Sequence, residues 1–104
     1  MPGFADRVRI KSSEATERLG LAGLEGIVYG WTTPSSTGVT VIGDLGDDHA
    51  VNVHFEERDE EFWFAEDLLE FVDHGAGIVV TLDGVDKEWV RQPSGEWQER
   101  PRSS

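Results

Sequence analysis

The chain has 104 residues and a formal charge of −12, with no cysteine. That length fits one domain with a small appendage. The missing cysteine excludes disulfide, thiol and iron–sulfur ligation and suits a reducing compartment. The charge is unevenly placed: residues 1–43 carry four acids and four bases, residues 44–75 twelve acids against Arg58 alone, and residues 76–104 sum to −1. A field of that sign repels phosphate backbones and anionic membranes and attracts a basic protein surface.

In chain order, Val8 and Ile10 alternate with Arg7, Arg9 and Lys11, the period of a half-buried strand. Residues 12–19 are polar and helix-tolerant, with Ser13 as a cap, and too short for more than one or two turns. Gly20, Gly23 and Gly26 follow at intervals of three, a spacing for tight turning and close backbone approach. Residues 27–31 read as a second strand, residues 32–38 as a Pro/Ser/Thr loop and residues 39–42 as a third strand. After a Gly/Asp turn at 43–48, Val51, Val53 and Phe55 alternate with Asn52 and His54, predicting a strand with one wet face. The acidic run 56–61 belongs on an exposed turn. Phe62-Trp63-Phe64 makes a fifth strand, residues 65–68 a 3₁₀ turn, and residues 69–72 close the sheet.

From residue 76 the character changes. Asp83-Gly84 predicts a two-residue hairpin that sets Val80 opposite Lys87 and Ile78 opposite Trp89. A second turn at Gln92-Pro93-Ser94-Gly95 sets Arg91 opposite Glu96 and Val90 opposite Trp97. Extended further, this register opposes Glu88 to Glu99 and Lys87 to Arg100, so pairing is expected to fail after Trp97. The expected organisation is a barrel over 1–75, a hairpin or three-strand extension over 76–98, and a flexible tail over 99–104. The expected core holds Val8, Ile10, Val28, Val39, Val51, Val53, Phe55, Phe62, Phe64 and Leu68.

No catalytic motif emerges, and the expectation is that the chain is not an enzyme and has no cofactor. The glycines at 20, 23 and 26 precede no long helix, as a phosphate-binding fingerprint requires. Ser94 sits on a hairpin turn without a nucleophile elbow. His49, His54 and His74 have no zinc spacing, and Asp44, Asp47 and Asp48 lack the calcium-loop pattern. The aromatics are more informative. If Phe62 and Phe64 face inward, Trp63 faces outward. An exposed Trp63 beside Tyr29 or Trp31, rimmed by Glu56, Glu57, Glu60, Glu61 and Glu66, forms a recognition surface of aromatic centre and polar rim. The hairpin face of Ile78, Val80, Leu82, Val85 and Trp89 needs cover from the barrel or from a partner.

The stretch 6–10, the spacing Gly20-x-x-Gly23-x-x-Gly26-Ile27-Val28, residues 39–42 and 51–55, and the run 63–72 together resemble the KOW/SH3-like barrel families. The resemblance covers residues 5–73 and implies an all-β fold: an SH3-like small barrel, here with a C-terminal β-hairpin extension. KOW-type domains often bind RNA or ribosomal and transcription proteins. Related barrels accompany electron-transfer complexes and nitrile hydratase as non-catalytic subunits. Here the loops of 43–61 are carboxylate, and only Arg7, Arg9, Lys11 and Arg18 form a basic group, where nucleic-acid surfaces cluster Lys and Arg with stacking rings. The expected function is a non-catalytic, acidic protein–protein interaction module for a basic partner surface, in a cytoplasmic protein with no signal or membrane segment. The alternatives are a nucleic-acid mimic, an accessory subunit of an enzyme or electron-transfer complex, a KOW-like RNA-binding protein, and self-association through an edge strand or the C-terminal hairpin.

Overall fold

The computed structural model describes residues 2–44 and 48–102. It is all-β, in two sheets. The first has the strand order β3-β5-β4-β2-β1-β6 and the second β7-β8-β9. In the first, β1 (Arg7–Ile10), β2 (Glu25–Thr32), β4 (Ala50–Phe55) and β5 (Glu60–Ala65) pair antiparallel with one another in the order β1-β2-β4-β5. A 3₁₀ turn at Glu66–Leu68 leads into β6 (Leu69–Asp73), which returns to pair with β1. The result is a curled half-barrel with β3 (Val41–Ile42) and β6 at its edges.

Local chemistry accounts for the elements. Ser13 caps α1 (Glu14–Arg18) by accepting from the Thr16 amide at 3.1 Å, while Thr16 Oγ1 accepts from the Ser13 amide at 2.8 Å, a reciprocal capping box. Gly20 and Gly23 turn the chain at φ +73° and +82°. Gly26 has another reason to be glycine. A Cβ there would lie 2.6 Å from Val53 Cγ1 and 2.8 Å from the His54 carbonyl oxygen.

The core lies on the concave side, where Val8, Ile10, Leu21, Val28, Val51, Val53, Phe55, Phe64 and Leu69 form one buried cluster. Phe62 and Leu68 pack against it half-buried. Val39, expected in the core, is half-buried outside that cluster. The third strand is shorter than expected and runs parallel to β5, with Val41 beside Trp63. The loop before it winds into a single helical turn, α2 (Pro34–Thr37), because Pro34 opens it with a preset φ and Gly38 ends it at φ +73°.

The second sheet holds β7 (Val79–Thr81), β8 (Lys87–Arg91) and β9 (Trp97–Pro101). Both expected registers are corrected. Val80 faces Trp89, because the first turn spans Leu82 to Asp86 in place of two residues, with the Val85 amide bonded to the Leu82 carbonyl. Trp97 faces Arg91, because the second turn runs one residue longer, closed by the Gln92 amide on the Glu96 carbonyl at 2.8 Å. That shift replaces the expected like-charge pairs. Glu88 meets Arg100 at 2.5 Å and Lys87 meets Glu99 at 3.5 Å. Pairing therefore continues to Pro101, and the Arg102 amide still bonds to Asp86, where a flexible tail was expected from residue 99. Ser103 and Ser104 lie outside the described residues.

The two sheets meet at one junction. Arg91 reaches out of β8 to Asp6 at 2.6 Å, to the His74 carbonyl at 2.8 Å and to the Gly95 carbonyl at 2.6 Å, while its guanidinium lies 5.1 Å over the Trp97 ring. Asp6 also accepts from the Gly3 amide at 2.7 Å, and His74 Nδ1 lies 3.0 Å from it. Phe4 stacks near Trp97, ring centres 6.0 Å apart. No barrel strand packs broadly on the second sheet, and the molecule measures 45 × 29 × 24 Å. Its radius of gyration is 15.0 Å, against about 13 Å for a compact domain of this length.

Candidate functional site: the outer face of β2, β4 and β5

The convex face of the half-barrel carries Ile27 and Tyr29 from β2, Asn52 and His54 from β4, and Glu61 and Trp63 from β5. The register sets Ile27 opposite His54, His54 opposite Glu61 and Asn52 opposite Trp63. Residues directly opposite share a face. The register between β2 and β4 slips at Tyr29, between Val28 and Gly30. A bulge of this kind re-aims one side chain and deepens the local twist. Here it swings Tyr29 over His54, and the rings stack 4.8 Å apart at 10°.

This arrangement revises the expected surface. The predicted wet face of β4 is largely dry: Asn52 is buried, and His54 lies under Tyr29 with its side chain 16% exposed. Trp63 does face away from the core but is half-buried beside Val41 of β3, so it is not the exposed aromatic. Tyr29 holds that place, 47% exposed. Trp31 is 40% exposed, but it pairs opposite core-facing Val51. The bulge between them parts it from Tyr29, so the two expected neighbours stand on different sides.

The expected acids also divide. Glu56, Asp59 and Glu61 gather around Tyr29. Burial, followed by the charges of Glu56, Glu61 and Asp59, raises the Tyr29 hydroxyl above its ordinary 10.0. Asp59 lies 3.9 Å from His54 Nε2. Glu60 is taken up by Arg58 at 3.1 Å. Glu57 lines an open depression of about 360 Å³ beside the stack, together with Leu24, Glu25, Ile27 and His54. Glu66 stands apart, 3.9 Å from His49 at the far end of β5. His54 and Asp59 are members that the residue types did not single out. The available signal was Gly30 inside a strand pattern, a mark of a bulge.

Three of the four members of the expected basic group pair with carboxylates of the same chain, and Lys11 is exposed. Arg7 pairs with Asp73, Arg9 with Glu25 and Glu70, and Arg18 with Glu14. Of Asp44, Asp47 and Asp48, Asp47 lies outside the described residues, and Asp48 accepts from both the amide and the hydroxyl of Ser35. Among the described residues no three metal-ligating side chains converge, and no helix is long and apolar enough to cross a membrane.

Comparison of the chain with protein-family models, with curated proteins and with solved structures finds no match. The fold and the convex face are therefore the basis for a functional reading.

Proposed function

We propose that the chain is a non-catalytic interaction module on an SH3-like barrel, and that its acidic convex face receives a basic surface of a partner protein. The barrel reading is supported by the order β5-β4-β2-β1-β6 and by the 3₁₀ turn that separates β5 from β6. The binding reading is carried by one observation: an exposed ring, Tyr29, stacked on His54 and ringed by Glu56, Asp59 and Glu61. An aromatic centre supplies contact area at small entropic cost, while the acids steer and select a cationic partner. RNA is the weaker reading, because Arg7, Arg9 and Arg18 are already paired with carboxylates of the same chain.

The test is the affinity of a labelled Lys/Arg-rich peptide, against an acidic peptide of the same length, across a salt series. Tyr29→Ala should weaken binding about tenfold, a typical cost for a hot-spot aromatic. Neutralising Glu56 and Glu61 to Gln should lower affinity and flatten its salt dependence. Salt-insensitive binding that survives both changes would refute the acidic-face reading, and retention of RNA near physiological ionic strength would favour the alternative.

A further inference from the structure

The C-terminal sheet lacks a core of its own. Among the described residues beyond Gly75, only Glu88 and Arg91 are buried, and both are charged and paired. Yet one of its faces is largely apolar. By register, Ile78, Arg91 and Trp97 lie at the barrel end, Val80, Trp89 and Glu99 in the middle, and Lys87 and Pro101 at the far end. Leu82 follows directly after β7 and is 53% exposed. The barrel covers only the near end, through Phe4, Asp6 and His74. Beyond that end no barrel strand packs broadly on the sheet, and Val80 and Trp89 are half-buried while Leu82 is exposed, although a three-stranded sheet needs a covered apolar face to be stable.

We propose that this outer part of the sheet is a two-fold interface with a second copy of the chain. Charge singles out that occupant. Residues 44–75 carry −11 and repel another copy, whereas residues 76–104 carry only −1. The charged residues on the open patch are Lys87 and Glu99, side by side at 3.5 Å. A two-fold axis in the plane of the interface that runs between these two side chains sets Lys87 of each copy against Glu99 of the other, which makes the surface complementary to itself. The 45 Å length of the molecule leaves room for the acidic faces to point away from one another. An apolar interface of this kind holds or tightens at high salt. The acidic convex face behaves in the opposite way, so the two surfaces are distinguishable in one salt series.

The experiment is sedimentation equilibrium over a wide concentration range at low and at high salt. It compares the parent with Leu82→Glu, Lys87→Glu and, on the opposite face, Val79→Ser. Amide spectra confirm that each variant is folded. The parent should dimerise at both salt concentrations. Leu82→Glu and Lys87→Glu should each weaken the dimer by about tenfold or more, as desolvating an unpaired charge at an interface does, and Val79→Ser should leave it unchanged. Should Leu82→Glu fail to fold, Lys87→Glu carries the test, since Lys87 is exposed at the rim of the sheet. A parent that stays monomeric at its highest soluble concentration would overturn the proposal and leave the patch to a different partner. So would a dimer indifferent to both charge-introducing variants.

Discussion

The half-barrel and the C-terminal sheet solve the same folding problem with different forces. Nine apolar side chains are buried together inside the half-barrel, from Val8 on β1 to Leu69 on β6. The C-terminal sheet buries no apolar side chain among the described residues and relies on Arg91 and Glu88, each held by an opposite charge. Apolar burial is non-directional and tolerates some slip, whereas a buried ion pair works only in one geometry and leaves a costly charge when broken. The difference predicts that the first sheet is stable through its core and the second through a few replaceable contacts. Their surfaces differ as well. The half-barrel displays carboxylates around Tyr29, while the second sheet leaves Val80, Trp89 and Trp97 half-buried and Leu82 exposed.

The largest effect is expected in the half-barrel core. Val53 is fully buried at the centre of β4, between Val28 and Phe62. Val53→Asp should abolish folding, at a cost on the order of 4 kcal/mol or more, read as loss of the native circular-dichroism signal in both sheets. A modest loss would mean that β4 does not lie at the centre of the core.

Next comes the junction. Arg91→Leu should cost about 3–5 kcal/mol by leaving Asp6 without its guanidinium. Hydrogen exchange should then quicken across residues 79–101 while the amides of β4 remain protected. The same junction has an acid limit. Burial alone would raise the Asp6 carboxyl, but hydrogen bonds from His74, the Gly3 amide and Arg91, with the charge of Arg91, hold it below its ordinary 3.8. A depressed carboxylate stabilises the fold fully above the ordinary value, and the contribution is lost as pH falls through the depressed one. Protection of residues 79–101 should therefore be flat near neutrality and fall below pH 3.8, and Asp6→Asn should remove that step.

A smaller effect is expected within the second sheet. Arg100→Ala strands Glu88, which is buried, and should cost about 1–3 kcal/mol, read by denaturant unfolding. No change would mean that Glu88 finds water or another partner. Smallest is the effect at the convex face. Glu56→Gln with Glu61→Gln should move the Tyr29 titration back toward 10.0, followed by phenolate absorbance, with folding stability unaltered. An unmoved midpoint would place those carboxylates away from the ring.

Most of the half-barrel was legible in the sequence because its signals are local. Alternation at 51–55 marked β4, Ser13 marked the cap of α1, and the glycines at 20, 23 and 26 marked two turns and a close approach. The C-terminal registers were not legible, because they depend on turn length, and one residue decides which side chains oppose one another. With Gln92–Glu96 as the turn, Glu88 gains Arg100 in place of Glu99. The convex face was half legible. Tyr29, Glu56 and Glu61 were named, but the assignment of the exposed ring to Trp63 assumed an unbroken β2. The bulge at Tyr29 moved that role to Tyr29 and covered His54. The Asp6–Arg91 pair spans most of the chain, and no local pattern connects its two ends.

The most direct test of the convex face as the binding surface is an amide and aromatic chemical-shift map of the labelled protein, titrated with a Lys/Arg-rich peptide. The expected result is saturable shifts at Tyr29, His54, Glu56, Asp59 and Glu61, weakening with salt, while the amides of 79–101 stay unmoved. Shifts confined to β6 or to the C-terminal sheet, or none at Tyr29 and His54, would contradict it.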